Sequence, residues 1–349
     1  MERMEAVELH APEGVRCYVE FRVSEESTAL AGAETDLISP DIEYLVGVSG
    51  GRDSIVLLKW LSSQGFENLI VCHFNHCLRG EDSDDDERFV KEQAEALGYS
   101  CISVRNDSSI FAAQSKQSIE TAARESRYRF FARVAREKSC QRLILAHHAD
   151  DQVETVLMNL FRGSGLKGLG GMEPVSHREI DGIPLEIIRP FLKVTRDELE
   201  EFRARHDLMF REDSTNIELN ATRNRVRHEL IPLAEDIFSR DTGPAILRLS
   251  EIAGMEFSAS LVRAGRWLST HQLPPGGLPL KALRALPPAD LSQVLHLWLK
   301  NRNVKDCGYQ KVQNIITMAR SDDKPAKVNL PGGLHARRRS GVVFISDEG

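Results

Sequence analysis

The chain has 349 residues, more than one compact domain usually contains, so two or three domains are expected. Hydrophobic residues make up 41% of it and charged residues 28%, which is typical of a globular protein rather than a disordered one. No run approaches about 18 apolar residues, and no basic segment followed by an apolar run opens the chain. Neither a membrane span nor a secretory signal is expected, and a cytoplasmic location is predicted.

The net charge of −7 is unevenly distributed along the chain. Residues 1–40 hold nine acidic and three basic side chains, a balance of −6, so the rest of the chain is almost neutral. A basic stretch lies at 320–340, where two aspartates stand against Arg320, Lys324, Lys327, Arg337, Arg338 and Arg339. Nucleic-acid phosphates would suit this stretch, and a solvated surface without a partner is the alternative.

Six cysteines stand at positions 17, 72, 77, 101, 140 and 307. They form no Cys-x-x-Cys pair and have no histidine at zinc-ligand spacing, so reduced structural thiols are predicted. Cys72 and Cys77 flank a histidine-rich strand end, where a metal or sulfur role is a weaker alternative.

The predicted elements begin after residues 1–40, which lack sustained periodicity apart from a strand-like stretch at 15–23. From residue 43, apolar β-prone runs alternate with helical patterns. Strands are predicted at 44–48, 69–74, about 101–105, 142–146 and 185–188. Helices are predicted from 55 to about 65, at about 84–97, 118–138 and 151–161, and from Thr195, where Glu198 completes a capping box. This alternation predicts a parallel sheet covered on both faces, with ligands beyond the carboxyl ends of the strands.

The second half of the chain has a different pattern. Glycines at 163–171 indicate a flexible loop, residues 229–300 are mostly helical around a linker at 273–277, and two short strands are predicted at 326–330 and 342–346. The predicted fold class is therefore α/β, a doubly wound parallel sheet followed by a helical region and a small α+β C-terminal domain.

Residues 49–54 read Ser-Gly-Gly-Arg-Asp-Ser between the first predicted strand and its helix. A glycine-rich turn at this place presents backbone N–H groups and the positive end of a helix dipole to a phosphate. The predicted nucleotide-binding residues are Ser49, Gly50, Gly51, Arg52, Asp53 and Ser54. Asp53 would cap the helix or hold a water bound to Mg²⁺. The glycine spacing fits neither a Walker A loop nor G-x-G-x-x-G.

The Ser-Gly-Gly-x-Asp-Ser motif resembles that of the PP-loop ATP pyrophosphatases. This resemblance implies that ATP is cleaved between its α and β phosphates, with AMP transferred to a substrate oxygen. Further segments narrow this resemblance to one family. Over about 43–232 the chain resembles the tRNA(Ile)-lysidine synthetases, and the segments that carry this resemblance are 73–79, 120–131, 147–155, 189–191, 210–216 and 223–227. Those enzymes join free L-lysine to the 2-keto carbon of the unmodified wobble cytidine of tRNA(Ile).

The resemblance implies a domain order and a set of partners. The predicted domains are an acidic extension at 1–40, a PP-loop catalytic domain at 41–228, a helical tRNA-contacting region at 229–300 and a C-terminal tRNA-binding domain at 301–349. ATP and Mg²⁺ are the expected cofactors, tRNA(Ile) and lysine the expected partners, and a homodimer is left open.

Several side chains receive roles from this resemblance. Asp151 and Glu154 share a helix face and are predicted to bind the lysine ammonium; helix capping is the alternative. Arg127 is predicted to reach the phosphate or the activated cytidine, and His73 to border the nucleotide. Arg211, Arg223 and Arg225 bind tRNA phosphates in one interpretation and form a structural ion-pair network in the other.

Three other functions compete with this one. A PP-loop tRNA thiolase would also adenylate a base, but it needs a cysteine pair or cluster to deliver sulfur. A non-catalytic nucleotide-binding module would have little use for Asp151 and Glu154. An amide-forming synthetase would work without RNA.

Overall fold

The fold is described from a computed structural model. The structure describes residues 5–10, 16–21, 30, 32–77, 80–107, 118–211, 222–323 and 325–347. Parts of the segments named above lie outside these ranges: residues 78 and 79, residues 212–216 and Lys324; the side chain of residue 120 does so too. Within the described residues, no helix is long and apolar enough to cross a membrane.

The first residues form a two-stranded hairpin and then a segment that contacts the core. Strand β1 (Glu5–His10) pairs antiparallel with β2 (Arg16–Phe21). Leu30 is buried, and Leu37 and Ile38 pack against the same cluster of hydrophobic residues as the first long helix. Residues 30 and 32–40 are therefore attached to the core, whereas the sequence predicted a loosely attached extension as far as residue 40.

Six strands form the main sheet: β3 (Tyr44–Gly47), β4 (Leu69–Asn75), β5 (Ser100–Arg105), β6 (Arg142–Ile144), β7 (Val175–Ile180) and β8 (Ile183–Ile188). Their order across the sheet is β5-β4-β3-β6-β8-β7. All neighbours are parallel except β7, which pairs antiparallel with β8 at one edge. The five predicted strands are confirmed; β7 was missed because its Ser-His-Arg-Glu interior is polar.

The helices of the first half of the chain and the segment that follows are α1 (Arg52–Ser63), α2 (Glu81–Ala96), α3 (Ile119–Lys138), α4 (Ala149–Phe161), α5 (Leu166–Leu169), α6 (Arg196–Arg205), α7 (Thr222–Arg225), α8 (Ile231–Phe238) and α9 (Gly243–His271). Of these, α5 and α9 from residue 249 onward belong to the second compact unit described below. A π-helical turn, Val226–Leu230, joins α7 to α8. The predicted capping box of α6 is confirmed, with Thr195 as N-cap and Glu198 bonded back to it. The predicted glycine loop contains α5.

Alternating strand residues build two hydrophobic layers, one on each face of the sheet. Tyr44 and Val46 of β3 point into a cluster that includes α1 and α6, while Leu45 points into a cluster that includes α3. In the first layer, the Trp60 and Phe191 rings meet edge to face with centroids 5.1 Å apart. Helices on both faces confirm the doubly wound α/β prediction.

A second compact unit has its own core. It contains β9 (Leu278–Pro279), α10 (Leu280–Arg284), α11 (Pro288–Asn301), α12 (Tyr309–Arg320), β10 (Lys327–Asn329), β11 (His335–Arg339) and β12 (Val342–Ser346). Its sheet has the order β10-β11-β12-β9 and is antiparallel. The two predicted terminal strands are present but do not pair directly. Between them lies β11, whose His-Ala-Arg-Arg-Arg sequence gave no strand signal.

The boundaries of the two compact units differ from the boundaries of the predicted domains. One unit comprises residues 1–164 and 171–248, and the other comprises 165–170 and 249–349. The hydrophobic core of the second unit takes residues from both sides of position 300, including Trp298 and Val312. The functional assignment of the four predicted domains stays a prediction.

Glu87 of α2 is buried, and its hydrogen bonds connect the helix to the edge of the main sheet. Its carboxylate accepts hydrogen bonds from Asn75, Lys91, Ser103 and Arg105. Burial alone would raise its pKa, but these donors lower it to about 2.

We expect Glu87→Gln to lower the free energy of unfolding at pH 7 by about 1–3 kcal/mol, because charged hydrogen bonds are lost. The unfolded state binds more protons between the ordinary glutamate pKa and about 2, so the wild-type stabilisation falls as pH drops through that window. Urea unfolding at several pH values measures both effects. Glu92→Gln, at an exposed position on α2, is the control. Equal pH profiles for the two variants would contradict the assignment.

Candidate functional site

The candidate site lies where the order of strands in the main sheet reverses. From β3 the chain proceeds to β4 and β5 on one side and then crosses to β6 on the other. In parallel sheets such a switch point leaves a ligand-binding crevice at the carboxyl ends of the strands. Helix α1 follows β3 and α4 follows β6, so both helices begin at this crevice.

The loop between β3 and α1 has the geometry of a phosphate-binding turn. The Ser54 hydroxyl donates to the Gly51 carbonyl at 2.8 Å, and its Oγ lies 3.1 Å from Ser49 Oγ. Gly50 has φ +94°, a backbone conformation that residues other than glycine rarely adopt, and a Cβ there would lie 3.3 Å from Val90 Cγ2. Gly50 is therefore required by the turn, whereas Gly51 has an ordinary φ of −71°. The predicted loop residues lie together at the N-terminus of α1.

Arg52 and Asp53 form the first turn of α1. The Arg52 Nε donates to Asp53 Oδ1 at 2.9 Å, and a second guanidinium nitrogen lies 3.8 Å from Glu200. Asp53 Oδ2 lies 3.4 Å from His148 Nε2. Burial alone would raise the pKa of Asp53, but the hydrogen bond from His148 and the charges of His148 and Arg52 lower it to about 2. Asp53 is therefore an anion at neutral pH.

His148 connects the two helix N-termini. It is the N-cap of α4, where Asp151 Oδ2 accepts the His148 backbone N–H at 3.1 Å. The N-cap is thus His148 and not Asp150, which lies in the first turn of the helix. Burial lowers the pKa of His148, but the hydrogen bond to Asp53 and the charges of Asp151 and Asp53 outweigh it, so the pKa is raised. The imidazole thus lies between carboxylates of α1 and α4.

Two further histidines have lowered pKa values. His73 of β4 is buried, which lowers its pKa, and its Nδ1 lies 2.9 Å from the Val48 carbonyl oxygen. The pKa of His147 falls to about 3 because burial and the charges of three arginines outweigh the attraction of Asp151. Among the described residues, His73 Nε2 and His147 Nδ1 have no hydrogen-bond partner. Both imidazoles are neutral at pH 7.

Asp151 and Glu154 lie on one face of α4, as predicted, and both contact arginines from the segment after residue 221. Arg223 donates to Asp151 Oδ1 at 2.8 Å and to Glu154 Oε2. Arg227 donates to Glu154 Oε1 and lies 3.5 Å from Asp151 Oδ1. Glu154 is fully buried, so its charge is balanced by these two guanidinium groups. We call these four residues the acid–arginine cluster.

Arg127 lies on α3 near other cations. Burial lowers its pKa, and the charges of Arg124 and Arg223 lower it further. No ion pair joins Arg127 to a carboxylate of the described residues. Arg124 lies over the Tyr128 ring, 5.3 Å from its centroid. An unneutralised cation beside the cluster is a suitable place for a phosphate.

The other two predicted arginines are engaged elsewhere. Arg211 Nε donates to Asp86 Oδ1 of α2 at 2.9 Å, and the Arg211 backbone N–H donates to the Gly50 carbonyl at 3.0 Å. It therefore supports the phosphate loop from outside. Arg225 pairs with Glu229 one helical turn later and is exposed. These contacts match the ion-pair interpretation, and the binding of tRNA phosphates by either residue stays a prediction.

Two contributors to the site were absent from the residues predicted to act in it. They are His148 and Asp86. The Asp86–Arg211 pair joins positions 125 residues apart, and no local pattern indicates such a contact. His148 could have been found from its place directly before a helix with an acidic first turn.

The described residues contain no group of three or more His, Cys, Asp or Glu side chains arranged to hold a metal ion. Asp53 alone fits Mg²⁺ in one respect, because Mg²⁺ beside nucleotide phosphates needs only one or two protein carboxylates.

Comparison with known proteins agrees with the geometry. A family model described as a PP-loop domain matches residues 25–234, and one described as the TilS substrate binding domain matches residues 278–344. The fold and loop thus define a PP-loop protein. Over 270 residues the chain is 37% identical to a tRNA(Ile)-lysidine synthase from Chlorobaculum tepidum, covering 76% of this chain and 79% of that protein. The chain belongs to the tRNA(Ile)-lysidine synthase family.

Two longer relatives match over part of their length. The tRNA(Ile)-lysidine synthase of Clostridium tetani is 37% identical over 217 residues, 61% of this chain and 45% of that protein. The bifunctional protein TilS/HprT of Listeria monocytogenes is 34% identical over 316 residues, 87% of this chain and 47% of that protein. The chain thus spans less than half the length of these two relatives.

The loop geometry predicts that Gly50→Ala lowers nucleotide affinity in addition to stability. A Cβ at φ +94° close to Val90 should cost about 1–3 kcal/mol of stability and distort the turn. We expect binding of a non-hydrolysable ATP analogue, measured by calorimetry, to weaken at least ten-fold. Gly65→Ala, at φ +79° with open space around it, should lose stability but keep nucleotide affinity. Equal affinity in both variants would show that the turn does not bind the nucleotide.

Proposed function

We propose that the chain adenylates the O2 atom of the wobble cytidine of tRNA(Ile) with ATP, releases pyrophosphate, and then joins free lysine to C2 with release of AMP. The product is lysidine, and the enzyme is a ligase that forms a carbon–nitrogen bond. The observation that carries the proposal is the contact between the phosphate loop and the acid–arginine cluster, made by His148 between Asp53 and Asp151. A site for ATP and a site for a cationic substrate adjoin there.

In the first step the protein holds the triphosphate and stabilises charge. The N–H groups of the loop and the dipole of α1 bind phosphate oxygens. Asp53 would hold Mg²⁺, which supplies positive charge beside the phosphates when bound. Arg127, whose charge is not neutralised by a carboxylate of the described residues, reaches the α phosphate or the adenylated cytidine. The cytidine oxygen forms a bond to the α phosphorus as the bond to pyrophosphate breaks.

In the second step the acid–arginine cluster binds lysine. Asp151 and Glu154 bind cations in this structure, since their oxygens accept from Arg223 and Arg227. The lysine ammonium therefore takes the place of a guanidinium, and the displaced Arg223 becomes available to phosphate. After losing its proton to a neighbouring base, the amine attacks C2, and the C2–O bond to AMP breaks. His147 is neutral, and its pKa is affected by the charges of Asp151 and Arg223.

The principal alternative is a PP-loop tRNA thiolase. Sulfur delivery requires a thiolate, and burial raises the pKa of Cys72, Cys77, Cys101, Cys140 and Cys307, to about 11 for Cys101. None of these five forms a disulfide. These observations favour lysine over sulfur as the nucleophile.

The two steps can be separated with ATP labelled in the α phosphate. Without lysine, we expect the label to become attached to tRNA(Ile); unlabelled lysine should then release it as AMP. ATP labelled in the γ phosphate should leave its label in pyrophosphate throughout. Conversion of ATP to ADP would contradict the mechanism. So would release of the α label as AMP when tRNA is omitted.

Asp151→Asn tests the lysine assignment. Asparagine keeps the oxygen that accepts the His148 N–H, so the helix cap survives while the charge is lost. We expect the KM for lysine to rise at least ten-fold and the KM for ATP to change less than two-fold. Asp150→Asn, one residue away and outside the cluster, should leave both values near wild type. Equal increases for ATP and lysine would make Asp151 a structural residue.

A further inference from the structure

Arg189, directly after β8, is a buried cation that has no part in the two proposed steps. It is 6% exposed. One terminal nitrogen donates to the Glu173 carbonyl and to the Ser176 hydroxyl, both at 2.9 Å. Among the described residues its Nε has no hydrogen-bond partner, and no carboxylate forms an ion pair with it. Burying such a cation is unfavourable, and a ligand that supplies a carboxylate would offset the unfavourable term.

The Tyr128 ring connects Arg189 to a second arginine. Burial lowers the pKa of Arg189, and a hydrogen bond to the Tyr128 hydroxyl opposes that effect. The Arg124 guanidinium lies over the same ring, 5.3 Å from its centroid. Tyr128 is buried, and its ring meets that of Phe131 edge to face with centroids 6.1 Å apart. Arg124 is exposed, so one fixed ring contacts a buried cation and a cation that solvent can reach.

Both arginines lie near the acid–arginine cluster. Burial lowers the pKa of His147, Asp151 opposes this, and the charges of Arg189 and Arg124 lower it further. Arg124 also lowers the pKa of Arg189. Charges affect each other in this way only over short distances. Arg124, Arg189 and Asp151 therefore surround one imidazole, with two like charges that repel each other.

The strand order places Arg189 on the other side of the acid–arginine cluster from the phosphate loop. Strands β3, β6 and β8 are successive neighbours in the sheet. The phosphate loop follows β3, helix α4 with Asp151 follows β6, and Arg189 follows β8. The Leu145 N–H donates to the Ile188 carbonyl at 3.0 Å, so β6 and β8 stay paired up to these ends. A triphosphate held at β3 therefore leaves Arg189 to another anion.

Free lysine has such an anion at the end opposite its side-chain ammonium. A guanidinium group binds a carboxylate through two parallel hydrogen bonds. We propose that Arg189 and Arg124, both positioned by Tyr128, bind the α-carboxylate of the lysine whose side-chain ammonium binds at Asp151. This inference rests on the proposed function for the identity of the amino acid. The two arginines thus select an amino acid over a simple amine.

The test compares L-lysine with L-lysinamide, which keeps both amino groups and lacks the negative charge. The value of kcat/KM for each amine is measured from AMP formation with tRNA(Ile) and ATP at saturation, in the full chain. We expect the wild type to prefer L-lysine by about ten-fold or more, because buried donors are left unpaired by the amide. Arg189→Gln and Arg124→Gln should each lower kcat/KM for L-lysine by about ten-fold and leave that for L-lysinamide nearly unchanged.

The matched control is Arg178→Gln. Arg178 of β7 also lies over the Tyr128 ring, 4.5 Å from its centroid, so this variant removes a cation from the same ring without touching Arg189. Its preference for L-lysine should equal that of the wild type. Thermal unfolding of each variant checks folding. Arg124 is exposed, so Arg124→Gln decides the test where Arg189→Gln does not fold.

Equal losses on the two amines would overturn the proposal and make both arginines structural. A wild type without preference for L-lysine would also overturn it. So would unchanged amine preference combined with weaker inhibition by added pyrophosphate, which would assign the arginines to the leaving group. A wild type that incorporates neither amine into tRNA(Ile) would contradict the proposed function itself, whereas lysine incorporation with unchanged preference in the variants refutes only the carboxylate site.

Discussion

The contact of His148 with carboxylates from two helices is the interaction on which the site depends. The imidazole caps α4, lies 3.4 Å from Asp53 of α1 and 3.7 Å from Asp151 of its own helix. Its raised pKa and the low pKa of Asp53 have the same cause, the attraction between a cation and an anion away from bulk water. The phosphate loop and the acid–arginine cluster are thereby held at one crevice of the sheet.

Supporting contacts fix each side of that crevice. On the nucleotide side, Arg211 joins α2 to the loop through Asp86 and the Gly50 carbonyl. On the other side, Arg223 and Arg227 neutralise two carboxylates, one of them fully buried. Removing one partner of such a buried pair costs about 3–5 kcal/mol, so the cluster exchanges one cation for another more readily than it loses one. This property suits a binding place for lysine.

The sequence predicted the parallel strands and the phosphate loop because their signals are local: apolar runs, helical periodicity and a glycine turn. It did not predict β7 or β11, since Ser-His-Arg-Glu and Arg-Arg-Arg stretches read as surface rather than strand. It placed Asp151 and Glu154 on one face but left their partners open. Arg223 is 69 residues from Glu154, and only the folded chain shows that the two are paired.

We propose that this crevice joins lysine to a cytidine activated by ATP, and the mass of the product nucleoside is the most direct measurement of that reaction. Isoleucine tRNA would be incubated with the protein, ATP and isotopically labelled lysine, digested, and analysed by liquid chromatography and mass spectrometry. We expect a cytidine derivative that carries the labelled lysine, formed only when ATP is present. An unchanged wobble cytidine, or one that has gained sulfur, would contradict the account.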